Sequence, residues 1–326
     1  MSYLVVGAGA IGGGVGGLLH AAGIDVTLVA RGDHLAALRD DGLRLQVGHE
    51  PERVLAVPVV GTPAEATITA DTVVLLAVKS QQTAAALADL VPHLHPATAV
   101  VSLQNGVSNE RTLLRHVERV QAVTVMMPSS HLEPGRVRLH SAGRPGLLDI
   151  GRYPTGFDDG TTAVAADLAA AGFESVPRPD IMAWKHRKLV TNLGNAVNAA
   201  CPPGDDADAL VGLLHAEADA VLAAAGVDVV SEATDSERRG QLLRPLVGRD
   251  GVGSSTWQSV RRGTGDVEVD HLNGEVVLLG RLHDVPTPAN ELVRRTLHDV
   301  VRRGAPPQTV PAAGLLDALG AQSART

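Results

Sequence analysis

Apolar positions in the first hundred residues come as short blocks separated by helical patterns. Residues 3–7, 25–30, 72–78 and 97–103 are runs rich in Val, Leu and Ala. Between and after them, 11–22, 33–40, 82–93 and 109–116 carry apolar side chains at helical spacing. Continuous β-branched runs alternating with helices are the pattern of parallel βαβ units, whose strands are buried on both faces. From 121 to 150 the blocks shorten. VQAVTVMM, VRLHS and GLLDIG are separated by Pro and Gly and read as an antiparallel extension of the same sheet. A helix over 161–171 and a short run ending at Val176 close this part.

After Pro177-Arg178-Pro179 the period becomes helical. One helix is expected over 180–200 and another over 206–225, with further helices over 235–247, 254–262, 268–284 and 289–303. Pro and Ala at 305–313 lead into a small polar tail expected to be loose. The fold class is therefore α/β. A Rossmann-type parallel-sheet domain is expected over residues 1–178, and a mainly helical domain over 179–326. The length of 326 residues agrees, at roughly 100–200 residues per domain.

Composition narrows the function. Hydrophobic residues are 44% and charged residues 20%, as in an ordinary globular protein. Aromatic residues are only 2%, so platforms for stacking bases are scarce, and a net charge of −8 supplies no basic face for a phosphate backbone. Nucleic acid is not an expected partner. A single cysteine, Cys201, rules out an intrachain disulfide and a cysteine zinc cluster, so no metal is expected and a reducing, cytoplasmic setting is. The first residues lack the basic segment of a signal peptide, and no run of ~18 apolar residues follows, so no membrane partner is expected. Of 28 basic residues only Lys79, Lys185 and Lys188 are lysines. Where a positive charge suffices this chain uses Arg, which makes each lysine informative.

Gly7-Ala8-Gly9-Ala10-Ile11-Gly12 follows a strand, opens a helix and begins a βαβ unit. In that context Gly7 permits the tight turn, Gly9 lets the backbone approach a pyrophosphate, and Gly12 lets the helix pack closely on the strand. The amides of Ala10, Ile11 and their neighbours at the helix start face the phosphates. The second strand ends at Arg31 where an NAD site normally has an acid. An arginine suits the 2′-phosphate of NADPH. The alternative is a solvated loop arginine, with Asp33 at the ribose. Lys79 and Asn105 follow the third and fourth strands, at the carboxyl ends where open parallel sheets bind ligands. Asn105-Gly106 is equally a plain turn dipeptide.

Lys188, Asn192 and Asn195 are spaced i, i+4, i+7 and fall on one helical face. Three of the seven asparagines lie at 192, 195 and 198, although Asn is a poor residue for a helix interior. A buried ammonium beside amides can serve as a proton donor with a lowered pKa. Further on, Ser255 lies where an N-cap is expected and Glu268 in the first turn of a helix. Capping and the helix dipole suffice to explain either one, so a functional role stays open.

The ordered set GAGAIG with Arg31, VKSQQT, SLQNG, KLVTN, SST and VEVDHLNG resembles the ketopantoate reductase family, the 2-dehydropantoate 2-reductases. The likeness runs from about residue 3 to 303. It implies a Rossmann domain, a helical domain and a cleft between them. It implies NADPH as cofactor, a small 2-oxo acid as substrate, and a homodimer as one form of assembly. By the same resemblance Arg31 binds the 2′-phosphate, and Lys79 and Asn105 line the cofactor side. Lys188 is the general acid, Asn192 holds the substrate, Ser255 bonds its carboxylate and Glu268 its C4-hydroxyl. Some positions depart from the pattern. Ala196 stands where the family repeats Asn, so Asn195 is expected to serve instead. Val252, Trp257 and Ser259 are unusual, and one residue is inserted before Glu268. These departures lie near the substrate. They leave room for a relative acting on another 2-oxo acid, with a pocket reshaped by Trp257, or for a non-catalytic NADP(H)-sensing module.

Overall fold

A computed structural model describes residues 1–240, 242–244, 246, 253–263 and 265–323. Val252 lies outside the described residues, and the helix expected over 235–247 ends instead at Arg239, with Gly240 as its cap. The chain divides into two compact units, Met1–Lys185 with Ser231–Gly248, and His186–Val230 with Arg249–Thr326.

The first unit holds β1 (Ser2–Val6), α1 (Ala10–Ala21), β2 (Asp25–Val29), α2 (Gly32–Asp41), β3 (Leu43–Val47), β4 (Arg53–Leu55), β5 (Val59–Val60), β6 (Thr72–Leu76) and α3 (Thr83–Leu90). It continues through β7 (Ala99–Ser102), α4 (Asn109–Leu114), β8 (Val120–Met126), β9 (Ser129–Glu133), β10 (Arg136–Leu139), β11 (Leu147–Arg152) and α5 (Asp159–Ala170). Seven strands form one sheet in the order β11-β8-β7-β6-β1-β2-β5. All are parallel except β11, which runs antiparallel to β8. Alternate residues of β1 feed opposite faces, Tyr3 and Val5 into one core and Leu4 and Val6 into the other.

The stretch from 121 to 150 differs from the expected antiparallel extension. β8 joins parallel to β7, and only β11 is antiparallel. β10 belongs to a second sheet, in the order β4-β3-β10-β9. α1 packs on β1 and β2 of the first sheet and on β3, β9 and β10 of the second. That position explains its glycines. A Cβ on Gly16 would stand 2.5 Å from Leu28 Cδ2, and one on Gly17 would stand 2.7 Å from Leu43 Cδ2. Glycine costs about 1 kcal/mol relative to alanine inside a helix, and here it permits contact with a sheet on either side.

α6 (Ile181–Asn192) begins in the first unit. The expected single helix over 180–200 is interrupted at Leu193, and α7 (Gly194–Ala200) continues it. α8 (Asp205–Ala224) follows, and α9 (Glu232–Arg239) belongs to the first unit. The second unit then adds α10 (Ser255–Arg262), α11 (Asn273–Leu282), α12 (Pro288–Arg302) and α13 (Ala312–Ser323). α8 is its centre: Leu210, Leu214, Ala218 and Val221 are buried at helical spacing. The tail expected to be loose instead forms α13, which buries Ala312 and Leu319 and packs on α8. Among the described residues no helix is long and apolar enough to cross a membrane.

Candidate functional site

The carboxyl ends of β2, β1, β6 and β7 are neighbours in the parallel sheet, with Val29, Val6, Leu76 and Ser102 in register. The chain therefore presents Arg31, the glycine turn, Lys79 and Asn105 in that order along one edge. At a strand spacing of ~4.8 Å, β2 to β7 spans ~14 Å.

Gly7 has φ +100, a conformation that favours glycine, and its N–H and that of Ala8 both donate to the Val29 carbonyl. A Cβ on Gly12 would stand 2.1 Å from the Gly7 carbonyl oxygen, so only glycine lets α1 start this close to the turn. A Cβ on Gly9 would meet no atom within 4 Å. The backbone there borders open space, with the first amides of α1, at Ala10 and Ile11, beside it. This is the cradle that an anionic pyrophosphate fits.

Arg31 immediately precedes α2. Its guanidinium is exposed and lies 2.5 Å from Asp89 on α3. Lys79 and Asn105 are half-buried, and a buried polar network beneath them cross-links their loops. Gln104 donates to the Val78 carbonyl and to Thr83 Oγ1, both at 2.9 Å. Thr83 donates to Asn109, which in turn donates to Ser80 and to the Asn105 carbonyl.

Lys185 is part of the same support. Its ammonium is almost fully buried, 2.8 Å from Glu110 Oε1, and donates to the carbonyls of Gln104 and Val123 at 2.8 and 3.2 Å. No sequence motif points to Gln104, Asn109 or Glu110, and none gives Lys185 this role. The scarcity of lysine was the available signal for Lys185. Asp149, with no exposed surface, accepts from Arg178 and from both ends of the Arg238 fork, which ties α9 to β11.

In the second unit the α6–α7 junction gathers the other candidates. Lys188 is half-buried on α6 and Asn192, 5% exposed, ends that helix. Asn195 stands in α7, past the one-residue interruption at Leu193, whose own backbone dihedrals stay helical. Asn198 has a structural duty: its side-chain carbonyl accepts from the Ser254 N–H at 3.0 Å. Ser254 caps α10 by accepting from the Trp257 N–H, and it also donates to the Asn195 carbonyl. The capping duty expected of Ser255 thus falls to Ser254. Ser255 is the first residue of α10 and is exposed. Glu268 is half-buried and precedes a single 3-10 turn, Val269–His271, rather than standing inside a helix. That segment is bound to the junction by Asn273, whose amide donates to the Leu193 carbonyl at 3.4 Å and to Asn290 at 3.1 Å. Trp257 is buried against Gly253, where a Cβ would stand 2.5 Å from the indole.

Comparison with known proteins covers nearly the whole chain. Residues 3–155 match the family model described as ketopantoate reductase PanE/ApbA, and residues 180–301 match the model of its C-terminal region. A 2-dehydropantoate 2-reductase of Halobacterium salinarum is 33% identical, over 93% of this chain and 98% of its own length. One from Pyrococcus horikoshii is 30% identical, over 90% and 95%. The crystal structure of a PanE/ApbA family ketopantoate reductase from Ralstonia eutropha is 30% identical, superposes with a TM-score of 0.77, and is matched over 93% of this chain and 99% of its own.

Proposed function

The chain belongs to the ketopantoate reductase (PanE/ApbA) family, an oxidoreductase family, and from that premise we propose that it reduces 2-dehydropantoate to pantoate with NADPH. The observation that carries the reading is the row of Arg31, the glycine turn, Lys79 and Asn105 along four adjacent strand ends, with open space over Gly9.

Arg31 receives the ribose 2′-phosphate through charge-assisted bonds from its planar guanidinium. The turn amides hold the pyrophosphate. Lys79 and Asn105 hold the nicotinamide half. When bound, the reduced nicotinamide supplies a hydride to C2 of the substrate. Asn192 and Asn195 orient the substrate, Ser255 bonds its carboxylate, and Glu268 accepts from its C4-hydroxyl. Lys188 donates a proton to the C2 oxygen as negative charge develops there, which yields the hydroxyl of the product.

The test is loss of reduced-nicotinamide absorbance over a panel of 2-oxo acids, ketopantoate included, with NADPH and NADH in parallel. Selective turnover of ketopantoate with NADPH is expected. Selective turnover of another acid on the panel assigns the chain to a different substrate, and binding without turnover of any acid overturns the enzymatic reading.

A further inference from the structure

His34 lies on the first turn of α2, half-buried, with its two ring nitrogens committed to different elements. Nδ1 accepts from the Gly135 N–H at 2.9 Å, in the turn between β9 and β10. Nε2 lies 2.8 Å from the carbonyl oxygen of Ala8, inside the glycine turn. A backbone N–H can only donate, so Nδ1 must present its lone pair. The proton is then on Nε2, donating to Ala8, and the ring is neutral. Two fixed backbone partners select one tautomer and one charge state.

The partner matters because a peptide unit is planar and trans. Holding the Ala8 carbonyl toward His34 turns the Gly9 N–H to the opposite side. Gly9 is the residue whose missing Cβ leaves open space. One side-chain hydrogen bond therefore sets the direction of an amide at the phosphate cradle.

We propose that His34 is a positioning residue for the cofactor: as the neutral Nε2–H imidazole it holds the Ala8–Gly9 peptide so that Gly9 N–H meets the pyrophosphate. The proposal rests on the nicotinamide-dinucleotide reading above. Protonation places a second donor at Nδ1, facing the Gly135 N–H; the Gly135 half of the bridge turns repulsive and the ring loses the anchor that fixes it against the Ala8 carbonyl. Burial lowers the pKa of His34 below its ordinary value, while the Ala8 carbonyl acts the other way. The titratable side chain packed on the ring is His131 of β9, with ring centroids 4.2 Å apart, and Asp33 and Arg31 neighbour it in sequence. The sign follows. The neutral form prevails at pH 7, and the bridge is lost as pH falls through the lowered pKa.

The experiment measures the Kd of NADH, which lacks the titrating 2′-phosphate, at a series of pH values from about 7.5 down to the acid limit of folding. Wild type, His34→Leu and His34→Gln are compared. Glutamine keeps a donor for Ala8 and does not titrate. Wild type should weaken progressively as pH falls through the lowered pKa, approaching about fivefold once the ring is protonated, the equivalent of one hydrogen bond. His34→Gln should bind as wild type does at the higher pH and stay flat. His34→Leu should be weak throughout. A folded His34→Leu protein, judged by far-UV circular dichroism, that binds NADH as wild type does overturns the role of His34. So does a His34→Gln protein that keeps the wild-type pH dependence, since another group such as His131 is then titrating. Wild type that binds neither NADH nor NADPH overturns the cofactor reading itself.

Discussion

Arg31 Nη2 and Asp89 Oδ2 lie 2.5 Å apart, so the guanidinium at the end of β2 already has a carboxylate partner from α3. Both side chains are largely in water, 66% and 49% exposed, and such a pair contributes only ~0.2–1 kcal/mol. Charge-assisted bonds to a phosphate are worth more, ~1.5–3 kcal/mol, so a 2′-phosphate bound at Arg31 would displace the carboxylate. Asp89→Asn is expected to tighten NADPH binding by up to about fivefold and to leave NADH unchanged. Arg31→Ala should weaken NADPH by about 10- to 100-fold, again with little effect on NADH. Equal shifts for the two cofactors in a binding titration would move Arg31 away from the ribose.

Lys185 and Glu110 form a buried ion pair under the Asn105 loop. Truncating one partner of such a pair leaves an uncompensated charge and costs ~3–5 kcal/mol, whereas replacing both with apolar groups is often neutral. Chemical denaturation should therefore show Lys185→Met strongly destabilised and Lys185→Met with Glu110→Met largely restored. If the double variant falls as far as the sum of the two single ones, the pair is not coupled.

What the chain disclosed about itself followed from burial. Strands β1, β2, β6 and β7 were legible because parallel strands are covered on both faces and so read as continuous apolar runs. The second sheet escaped because SSHLE is largely polar and LRLQV, although it alternates apolar and polar residues, carries no local mark of which sheet it joins. α13 escaped because prolines precede it, although Leu315, Leu316 and Leu319 keep a helical spacing. The glycine turn was legible as a local motif. The groups that hold the site were not, because Gln104, Asn109, Glu110 and Lys185 meet only after folding. Nor was the contact at Leu193 legible, because Asn273, which donates to the Leu193 carbonyl, lies eighty residues further along the chain.

Gly9 and Gly12 stand three residues apart in one motif and should respond differently to the same methyl group. At Gly12 the added Cβ meets the Gly7 carbonyl, which is backbone and cannot swing aside, so Gly12→Ala should cost ~1–3 kcal/mol in denaturation and weaken dinucleotide binding as well. At Gly9 the Cβ meets no protein atom within 4 Å, so Gly9→Ala should keep its stability and lose only cofactor affinity. A Gly9→Ala protein that binds both dinucleotides normally would show that no ligand approaches that backbone.

Lys188 is assigned the proton because an ammonium can give one up near neutral pH and a guanidinium cannot. General acid catalysis contributes ~10²–10⁴-fold, so Lys188→Ala should lower kcat by about that factor while leaving the Kd of NADPH as it was. Lys188→Arg is the sharper variant. It keeps the positive charge that would attract a carboxylate, so a purely electrostatic role predicts rescue. A proton-donating role predicts that Lys188→Arg stays as slow as Lys188→Ala. Steady-state rates across the pH range decide the matter. A Lys188→Ala protein with full turnover and an unchanged profile would assign the acid to another residue.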